Sequence, residues 1–264
     1  MNRQLDQGVF FNPVNPVTNL KIRQTFYFMQ MVILAGGQGT RIQAVADGKP
    51  KALIPVAGRP FIERQFELLA RCGFARVLIC AGFQGDQIQR HVGDGTRFGM
   101  RVAYAIEDPV QLLGTGGALV NALPLLEETF LVLYGDSYLP TDYRAVERAF
   151  DQSGLDALTC VYRNEGKWDK SNVRVVGDRV VFYSKAAKTG DADCIDYGLS
   201  AFRKTVIQNY AGRPLPLDLA HILQDLVTRD GLGAFVVKER FYEIGKPEGL
   251  AELNDHLKQI DAGR

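Results

Sequence analysis

Residues 31–41 read MVILAGGQGTR, an apolar run that passes directly into a loop with three glycines and one arginine. Met31 to Leu34 is predicted to form a strand, because such a run followed by glycine is typical of a strand buried on both faces. Glycine backbone N–H groups can approach anionic oxygens closely, and Arg41 can bind phosphate through two parallel charge-assisted hydrogen bonds. The stretch predicts a phosphate-binding loop at the carboxyl end of a strand. The alternative is a tight turn with a surface arginine.

The loop matches neither of the two common glycine-rich phosphate loops. It lacks the GK[ST] ending of a P-loop, and its glycines are spaced GGxG, whereas a dinucleotide-binding loop has GxGxxG. Both differences argue against an ATPase and against a dehydrogenase.

Apolar strands alternate with helical segments outward from this loop, which is typical of βαβ units on a mainly parallel sheet. Gly177 and Asp178 form a two-residue turn between alternating runs, which indicates antiparallel pairing in the second half of the chain. We therefore predict an α/β fold. The predicted strands are residues 31–34, 76–80, 101–106, 129–134, 157–162, 173–176, 180–183, 194–202 and 234–241, and the predicted helices are residues 62–72, 84–91, 116–123, 143–150, 215–228 and 248–260.

The composition argues against nucleic-acid-binding, membrane and disulfide-rich proteins. The 264 residues carry 31 basic and 30 acidic side chains, so no polybasic surface for nucleic-acid backbones is expected. No apolar run approaches the ~20 residues that a membrane span requires. The four cysteines form no CxxC pair, which favours free thiols in a reducing compartment. We expect a cytoplasmic protein with no nucleic-acid partner and no membrane partner.

The first thirty residues differ from the rest of the chain. Prolines and asparagines at positions 12–16 break any helical or strand period, and the apolar cluster at 26–28 is too short for a signal-peptide core. We interpret residues 1–30 as an irregular leader without a role in the chemistry, and residues 31–264 as one domain.

Four motifs together resemble the signature of the sugar-1-phosphate nucleotidyltransferases. They are LAGGQGTR at residues 34–41 followed by Pro50 and Lys51, LGTGGAL at 113–119, YGD at 134–136 and YEIGKP at 242–247. The resemblance covers nearly all of residues 31–255. It implies a Rossmann-like, mainly parallel sheet flanked by helices, with a smaller antiparallel sugar-binding part. Residues 31–150 would then be the nucleotide-binding half and residues 151–264 the sugar-binding half.

The same resemblance assigns the triphosphate and a Mg²⁺ ion to the carboxyl ends of two strands. Arg41 would neutralise the leaving pyrophosphate, and Lys51 would lie near the α-phosphate and the sugar phosphate. Asp136 would bind Mg²⁺ with Glu243 as the second carboxylate, although the family usually has aspartate there and a surface glutamate is the alternative. The phosphate loop would contact the nucleotide through Leu34, Ala35, Gly36, Gly37, Gly39 and Thr40.

Further positions are assigned to the base and to the sugar by the same comparison of motifs. Glu107 could accept from the N1–H and N2–H₂ edge of guanine, or it could be solvated. Lys185 would contact the sugar phosphate. Asp196 replaces an amide usual in the family, which implies a different pattern of donor hydroxyls on the sugar. Gly114, Thr115 and Gly116 would pass near the base, and Asn172, Asp196, Tyr197 and Gly198 would contact the sugar.

The implied activity is Mg²⁺-dependent transfer of a nucleotidyl group from a nucleoside triphosphate to a sugar 1-phosphate, with release of pyrophosphate. The motifs favour GTP with heptose or mannose 1-phosphate. The alternative is a uridylyltransferase acting on an N-acetylmuramate-type or hexose 1-phosphate. A non-catalytic nucleotide-sugar-binding subunit is disfavoured because Arg41, Lys51 and Asp136 are all present, and a glycosyltransferase because Asp136 is not part of a DxD motif. A homo-oligomer is left open.

Overall fold

The computed structural model describes residues 29–108, 110–111 and 113–263. The predicted leader lies outside these residues, apart from Met29 and Gln30. The first half of the chain contains β1 (Gln30–Leu34), α1 (Gln43–Ala46), β2 (Pro55–Val56), β3 (Arg59–Pro60), α2 (Phe61–Arg71), β4 (Arg76–Ala81), α3 (Gly85–Val92), β5 (Arg101–Ile106), α4 (Gly114–Asn121), β6 (Thr129–Tyr134), β7 (Ser137–Tyr138) and α5 (Tyr143–Ser153). The second half contains β8 (Ala157–Arg163), β9 (Val173–Val176), β10 (Arg179–Tyr183), β11 (Cys194–Arg203), α6 (Lys204–Gln208), α7 (Leu219–Thr228), β12 (Leu232–Val237), β13 (Tyr242–Glu243) and α8 (Pro247–Ala262).

Nine of these strands form one sheet in the order β5-β4-β1-β6-β11-β8-β12-β10-β9. The strands β5, β4, β1 and β6 are parallel neighbours, and β12 is parallel to β8. Antiparallel pairing joins β11 to β6 and β8, and β10 to β9 and β12. The predicted α/β fold is confirmed, with parallel pairing concentrated in the first half and the predicted hairpin present between β9 and β10.

Helices cover both faces of the sheet because its central strands are apolar on both faces. In β1, Val32 and Leu34 belong to one core, while Met31 and Ile33 belong to the other. The helices α4, α6 and α7 pack in the first core, and α2, α3 and α5 pack in the second. Full burial stabilises each large apolar side chain by ~1.5–3 kcal/mol. The strand β1 is thus fixed between β4 and β6, and the glycine-rich loop leaves from its carboxyl end.

Two strand ends and a small second sheet define the edge where ligands can gather. The amide of Gly135, which follows β6, donates to the carbonyl of Leu34 at 3.0 Å. A Cβ at residue 135 would lie 2.5 Å from that carbonyl oxygen, so this contact requires glycine. Glu243 of β13 pairs with Ser137 of β7, and this pairing places Glu243 beside Asp136.

Two predicted elements have wrong bounds. The helix predicted at 215–228 begins at Leu219, because the Asp218 side chain caps it by accepting from the Ala220 amide. The strand predicted at 234–241 runs from 232 to 237, and the chain then turns to pair β13 with β7. The first strand begins at Gln30, just before the predicted Met31.

The sequence predicts free cysteines and no membrane-spanning segment. All four cysteines are free thiols, as predicted, and Cys80, Cys160 and Cys194 are buried. Burial raises the pKa of Cys194 to about 11, so its thiol stays protonated at neutral pH. Within the described ranges, no helix is both long enough and apolar enough to cross a membrane.

Candidate active site

The glycine-rich loop leaves β1 and passes over the side chain of Lys51. The amide of Ala35 still donates to the carbonyl of Cys80 at 2.8 Å, so the loop begins at Gly36. Gly39 has a φ of 64°, and a Cβ there would lie 2.8 Å from Cγ of Lys51. A Cβ on Gly37 would meet no atom within 4 Å. The close approach of Lys51 therefore requires glycine at position 39, while the open backbone at Gly37 leaves room for a ligand.

Four charged side chains meet where β1 and β6 end. Nζ of Lys51 lies 3.0 Å from Oδ2 of Asp136. A Cβ on Gly245 would lie 3.6 Å from that carboxylate oxygen and 3.7 Å from Nη2 of Arg41, so both groups border the same glycine. Glu243 is next to Asp136 through the β7–β13 pairing. The structure thus brings together the predicted residues Arg41, Lys51, Asp136 and Glu243.

Neighbouring charges determine the protonation of Glu243. Desolvation by the surrounding protein raises the pKa of Glu243 to about 7; the carboxylates of Asp136 and Asp169 add to the rise, and Lys246 and Arg41 oppose it. The residue still exposes part of its surface to water, so an ion from solvent can reach it. Because like charges raise a carboxyl pKa and a nearby cation lowers it, a cation would stabilise the ionised form of Glu243.

The two carboxylates fit Mg²⁺ when other ligands complete the site. Among the described residues, no group of three or more His, Cys, Asp or Glu side chains is placed to hold a metal ion. Proteins commonly bind Mg²⁺ through one or two carboxylates, and substrate phosphates and water supply the remaining ligands. Asp136 and Glu243, at the open side of the phosphate loop, match this pattern.

Glu107 lies against the phosphate loop, so the alternative of a solvated side chain is wrong. A Cβ built on Gly36 would lie 3.3 Å from one of its carboxylate oxygens, and one on Gly82 would lie 3.4 Å from the other. The residue is 9% exposed. Burial raises the pKa of Glu107, and an N–H donated by Leu113 opposes the rise. The sequence did not single out Gly82, which shares this contact.

The glycines of the segment that follows serve mainly to pack α4 against α7. The amide of Gly116 donates to the carbonyl of Leu217 at 2.8 Å, and the Thr115 hydroxyl donates to Asp218 at 3.1 Å. A Cβ on Gly114 would lie 2.4 Å from the Leu217 carbonyl oxygen. Gly116 is buried in this contact, so the structure shows it packing the two segments together. Gly114 and Thr115 keep exposed surface.

Lys185 is held by a carboxylate that the sequence analysis missed. Its Nζ lies 2.6 Å from Oδ2 of Asp218, and the Lys185 side chain is 55% exposed. Oδ1 of Asp218 accepts from the Ala220 amide at 2.9 Å. An exposed lysine can exchange such a partner for a phosphate oxygen at little cost. The signal for Asp218 was its place directly before an apolar helical run, where aspartate is a favoured cap.

Asp196, predicted to contact the sugar, is enclosed by hydrogen bonds. Its Oδ2 accepts from the Tyr183 hydroxyl at 2.6 Å and its Oδ1 from the Gly198 amide at 2.9 Å. Its own amide donates to Oδ1 of Asn172 at 2.9 Å. Burial raises the pKa of Asp196, while the bonds from Tyr183 and Gly198 and the charge of Lys185 oppose the rise. These five residues form one group, in which Tyr183 was not predicted.

Tyr197 and Leu34 do not reach this surface with their side chains. Tyr197 is 1% exposed, and its ring packs at 6.1 Å from that of Phe241. Successive strand residues point to opposite faces, and the Tyr197 ring packs in the second core. The Leu34 side chain lies in the core and its carbonyl binds Gly135, so Leu34 holds the strand end in place.

Comparisons with known proteins identify the family to which this geometry belongs. A family model described as "Nucleotidyl transferase" matches residues 30–259. The chain belongs to this family. A D-glycero-alpha-D-manno-heptose 1-phosphate guanylyltransferase from Campylobacter jejuni is 26% identical over 220 residues, covering 83% of this chain and 96% of that protein. An N-acetylmuramate alpha-1-phosphate uridylyltransferase from Neisseria meningitidis is 39% identical over 118 residues, which are 44% of this chain and 51% of the relative. The match thus spans about half the length of the Neisseria protein.

Solved structures of the family agree with the fold. The crystal structure of HddC from Yersinia pseudotuberculosis has a TM-score of 0.71 and 25% identity, covering 87% of this chain and 100% of that chain. The same protein has also been solved in a complex with GMP-PN. The Rossmann-like α/β fold that the motifs imply is therefore confirmed.

In this nucleotidyl transferase, Tyr134 lies near the carboxylates of Asp136, Asp196 and Asp218, and so between the residues predicted to bind phosphate and those predicted to bind the sugar. Burial raises the pKa of Tyr134 well above its usual value, and the charges of Asp196, Asp218 and Asp136 add to the rise. A Cβ on Gly198 would lie 3.1 Å from the Tyr134 ring, so glycine at 198 makes room for it. Tyr134 was noted only as part of the YGD motif, and its place between the two groups depends on the fold.

Proposed function

We propose that the chain transfers a nucleotidyl group from a nucleoside triphosphate to a sugar 1-phosphate, and that GTP with heptose or mannose 1-phosphate are its substrates. The observation that carries the proposal is the ion pair of Lys51 and Asp136, at 3.0 Å, directly beneath the glycine-rich loop. With Arg41 and Glu243 beside it, this pair provides cations for phosphate oxygens and carboxylates for a metal ion at one strand edge.

The proposed step is a direct in-line substitution at phosphorus. An oxygen of the sugar 1-phosphate attacks the α-phosphorus, the bond from the α-phosphorus to the bridging oxygen breaks, and pyrophosphate leaves with that bond's electron pair. The nucleophile is already an anion, so the chain needs no general base and no covalent intermediate. Its contribution is positioning and charge neutralisation.

Each charged residue has a distinct part in this step. Arg41 would bind the departing pyrophosphate, and Lys51 would move from Asp136 to the oxygens of the α-phosphate and the sugar phosphate. Lys185 would hold the sugar phosphate in exchange for Asp218. When bound at Asp136 and Glu243, Mg²⁺ would supply further neutralisation of phosphate charge.

The buried carboxylate of Glu107 supports a guanine nucleotide. It lies beside Gly36, the first residue of the phosphate loop, and a carboxylate can accept from both N1–H and N2–H₂ of guanine. Pyrimidine bases lack that donor pair. The likeness to HddC, which has been solved with GMP-PN, points in the same direction. The uridylyltransferase alternative is favoured by the 39% identity to the Neisseria protein over its matched stretch.

The sugar is proposed from Asp196, which accepts hydrogen bonds and, when ionised, donates none. Its carboxylate already accepts from Tyr183 and Gly198, so a sugar hydroxyl would donate to the lone pairs that remain. The Campylobacter relative is named for a heptose phosphate, and its match covers 83% of this chain. The free thiols fit a reaction in the cytoplasm.

A substrate matrix tests the proposal. The four common nucleoside triphosphates are each combined with heptose, mannose, glucose and N-acetylmuramate 1-phosphates, and pyrophosphate release is measured with Mg²⁺ present. We expect release above background with GTP and heptose or mannose 1-phosphate. Release with UTP and N-acetylmuramate 1-phosphate would select the alternative, and release with no pair would reject the activity.

A further inference from the structure

Residues 164–172 form a loop organised around a buried asparagine. Asn164 is 3% exposed, and its Nδ2 donates to the carbonyl of Asp169 at 2.7 Å. Its Oδ1 accepts from the Trp168 amide at 2.9 Å. The loop ends at Asn172, whose side chain binds the amide of Asp196. A displacement of this loop would therefore be transmitted to the sugar-binding side of the site.

The outer part of the loop rests on Arg240. The guanidinium carbon of Arg240 lies 3.7 Å from the centroid of the Trp168 ring and 4.8 Å from that of Tyr242. The Tyr242 ring stacks on His256 at 4.4 Å, and Nη2 of Arg240 is paired with Glu252 of α8. Two aromatic rings and one carboxylate thus contact the guanidinium, and together they hold it in place as a support for the indole.

A second contact joins the same two segments but contributes less. Nζ of Lys246 lies 3.3 Å from Oδ1 of Asp169, and these side chains are 49% and 61% exposed. Ion pairs this exposed stabilise little. Lys246 and Asp169 line a cavity of about 210 Å³, which Trp168, Arg240 and Glu243 also line. The stacked contact thus docks the loop beside one of the proposed metal carboxylates.

We propose that Arg240 is a positioning residue whose stacking on Trp168 latches loop 164–172 over the sugar-binding side of the site. The planar guanidinium is essential to this role, since the compact ammonium of lysine has no flat face to stack on indole. The effect of this latch on the kinetics rests on the proposed function. Its structural part is independent of that function, because Trp168 is the single tryptophan of the chain and reports the contact by its fluorescence.

The test compares Arg240→Lys and Arg240→Gln with the wild-type protein. Without substrates, we expect the Trp168 emission of both variants to shift to longer wavelength and acrylamide to quench it more strongly, because the indole loses its cover. With substrates, we expect the KM for the sugar 1-phosphate to rise on the order of tenfold, as a stacked cation–aromatic contact can supply. The KM for the triphosphate and kcat should change less than about twofold.

Matched variants separate the latch from a general loss of charge or of packing. Arg213→Gln removes a guanidinium that lies over another ring, that of Tyr210 at 5.9 Å, and should alter neither readout. Trp168→Ala should raise the KM for the sugar 1-phosphate as much as Arg240→Gln does. Trp168→Phe keeps an aromatic ring, so its KM should stay close to that of the wild-type protein. The double variant Arg240→Gln/Trp168→Ala should have the same KM as either single variant.

Unchanged emission and quenching in Arg240→Gln would overturn the latch. So would equal rises in both KM values, or additive effects in the double variant. If the wild-type protein transfers no nucleotide to any sugar 1-phosphate, the proposed function fails, and the fluorescence result still decides whether Arg240 docks the loop.

Discussion

Replacing Glu243 with glutamine tests the second metal carboxylate with almost no change in side-chain volume. In the structure, Glu243 lies next to Asp136 through the pairing with Ser137, and the substitution removes one of the two charges proposed to bind Mg²⁺. A charged ligand contact is worth roughly 1–3 kcal/mol, which corresponds to about 5–150-fold in affinity. Removing the repulsion between Glu243 and Asp136 offsets part of this loss. We therefore expect the Mg²⁺ concentration for half-maximal rate to rise about five- to thirtyfold.

The pH dependence of the same titration provides an independent check. Glu243 has a pKa raised to about 7, so protons compete with Mg²⁺ below that pH and cease to compete above it. By linkage, the Mg²⁺ concentration for half-maximal rate in the wild-type protein should rise about tenfold from about pH 8 to about pH 6. In Glu243→Gln this group cannot titrate, and the rise should be largely absent.

Initial rates of pyrophosphate release, measured across a Mg²⁺ series at saturating substrates, supply both comparisons. Glu243→Asp is the matched control, because it keeps the charge and restores the residue usual in the family, and it should remain active. A Gln variant with the wild-type Mg²⁺ titration at both pH values would remove Glu243 from the metal site.

Three other substitutions follow from the structure. Asp136→Asn should abolish pyrophosphate release. It should change the free energy of unfolding by less than about 1 kcal/mol, because the pair of Asp136 with Lys51 is partly exposed. Turnover near the wild-type rate would contradict the assignment of Asp136 to the metal site. Gly114→Ala should lower the melting temperature by several degrees or more, since a Cβ would lie 2.4 Å from the Leu217 carbonyl oxygen and φ is 75°; a wild-type melting curve contradicts this. Burial raises the pKa of Glu147, so the folded state favours the neutral carboxyl. The stability that the neutral carboxyl provides at low pH is therefore lost as the pH rises through the raised pKa. The melting temperature of Glu147→Gln, relative to wild type, should then be higher at about pH 7.5 than at about pH 4.5, and a difference of opposite sign contradicts the reasoning.

Patterns local in sequence predicted most of the strands and the position of the glycine-rich loop. The run from Met31 to Arg41 predicts both a buried strand and the loop at its end, because both depend on adjacent residues. Asp136 could be placed at the same edge, since parallel strands end their carboxyl sides together. Glu243 was paired with it only through the resemblance to the family, and the β7–β13 pairing that sets the two side by side comes from the structure.

Other features depend on contacts that no local pattern shows. The glycines of the LGTGGAL motif were interpreted as ligand contacts, whereas Gly116 packs on Leu217, about one hundred residues away in the chain. Asp218 was included in a predicted helix because the spacing of apolar residues does not distinguish a capping residue from the first turn of the helix. Tyr197 was assigned to the sugar together with its neighbours, although alternation along β11 turns its ring into the core.

The fate of individual phosphate oxygens tests the central claim most directly. Sugar 1-phosphate carrying heavy-isotope oxygen at every phosphate position is incubated with unlabelled triphosphate, Mg²⁺ and the protein, and the products are analysed by mass spectrometry. If a sugar phosphate oxygen attacks the α-phosphorus, the nucleotide-sugar retains every labelled oxygen and the pyrophosphate contains none. Label in the pyrophosphate, or loss of the labelled oxygen that joins the sugar to phosphorus, would contradict the proposed transfer.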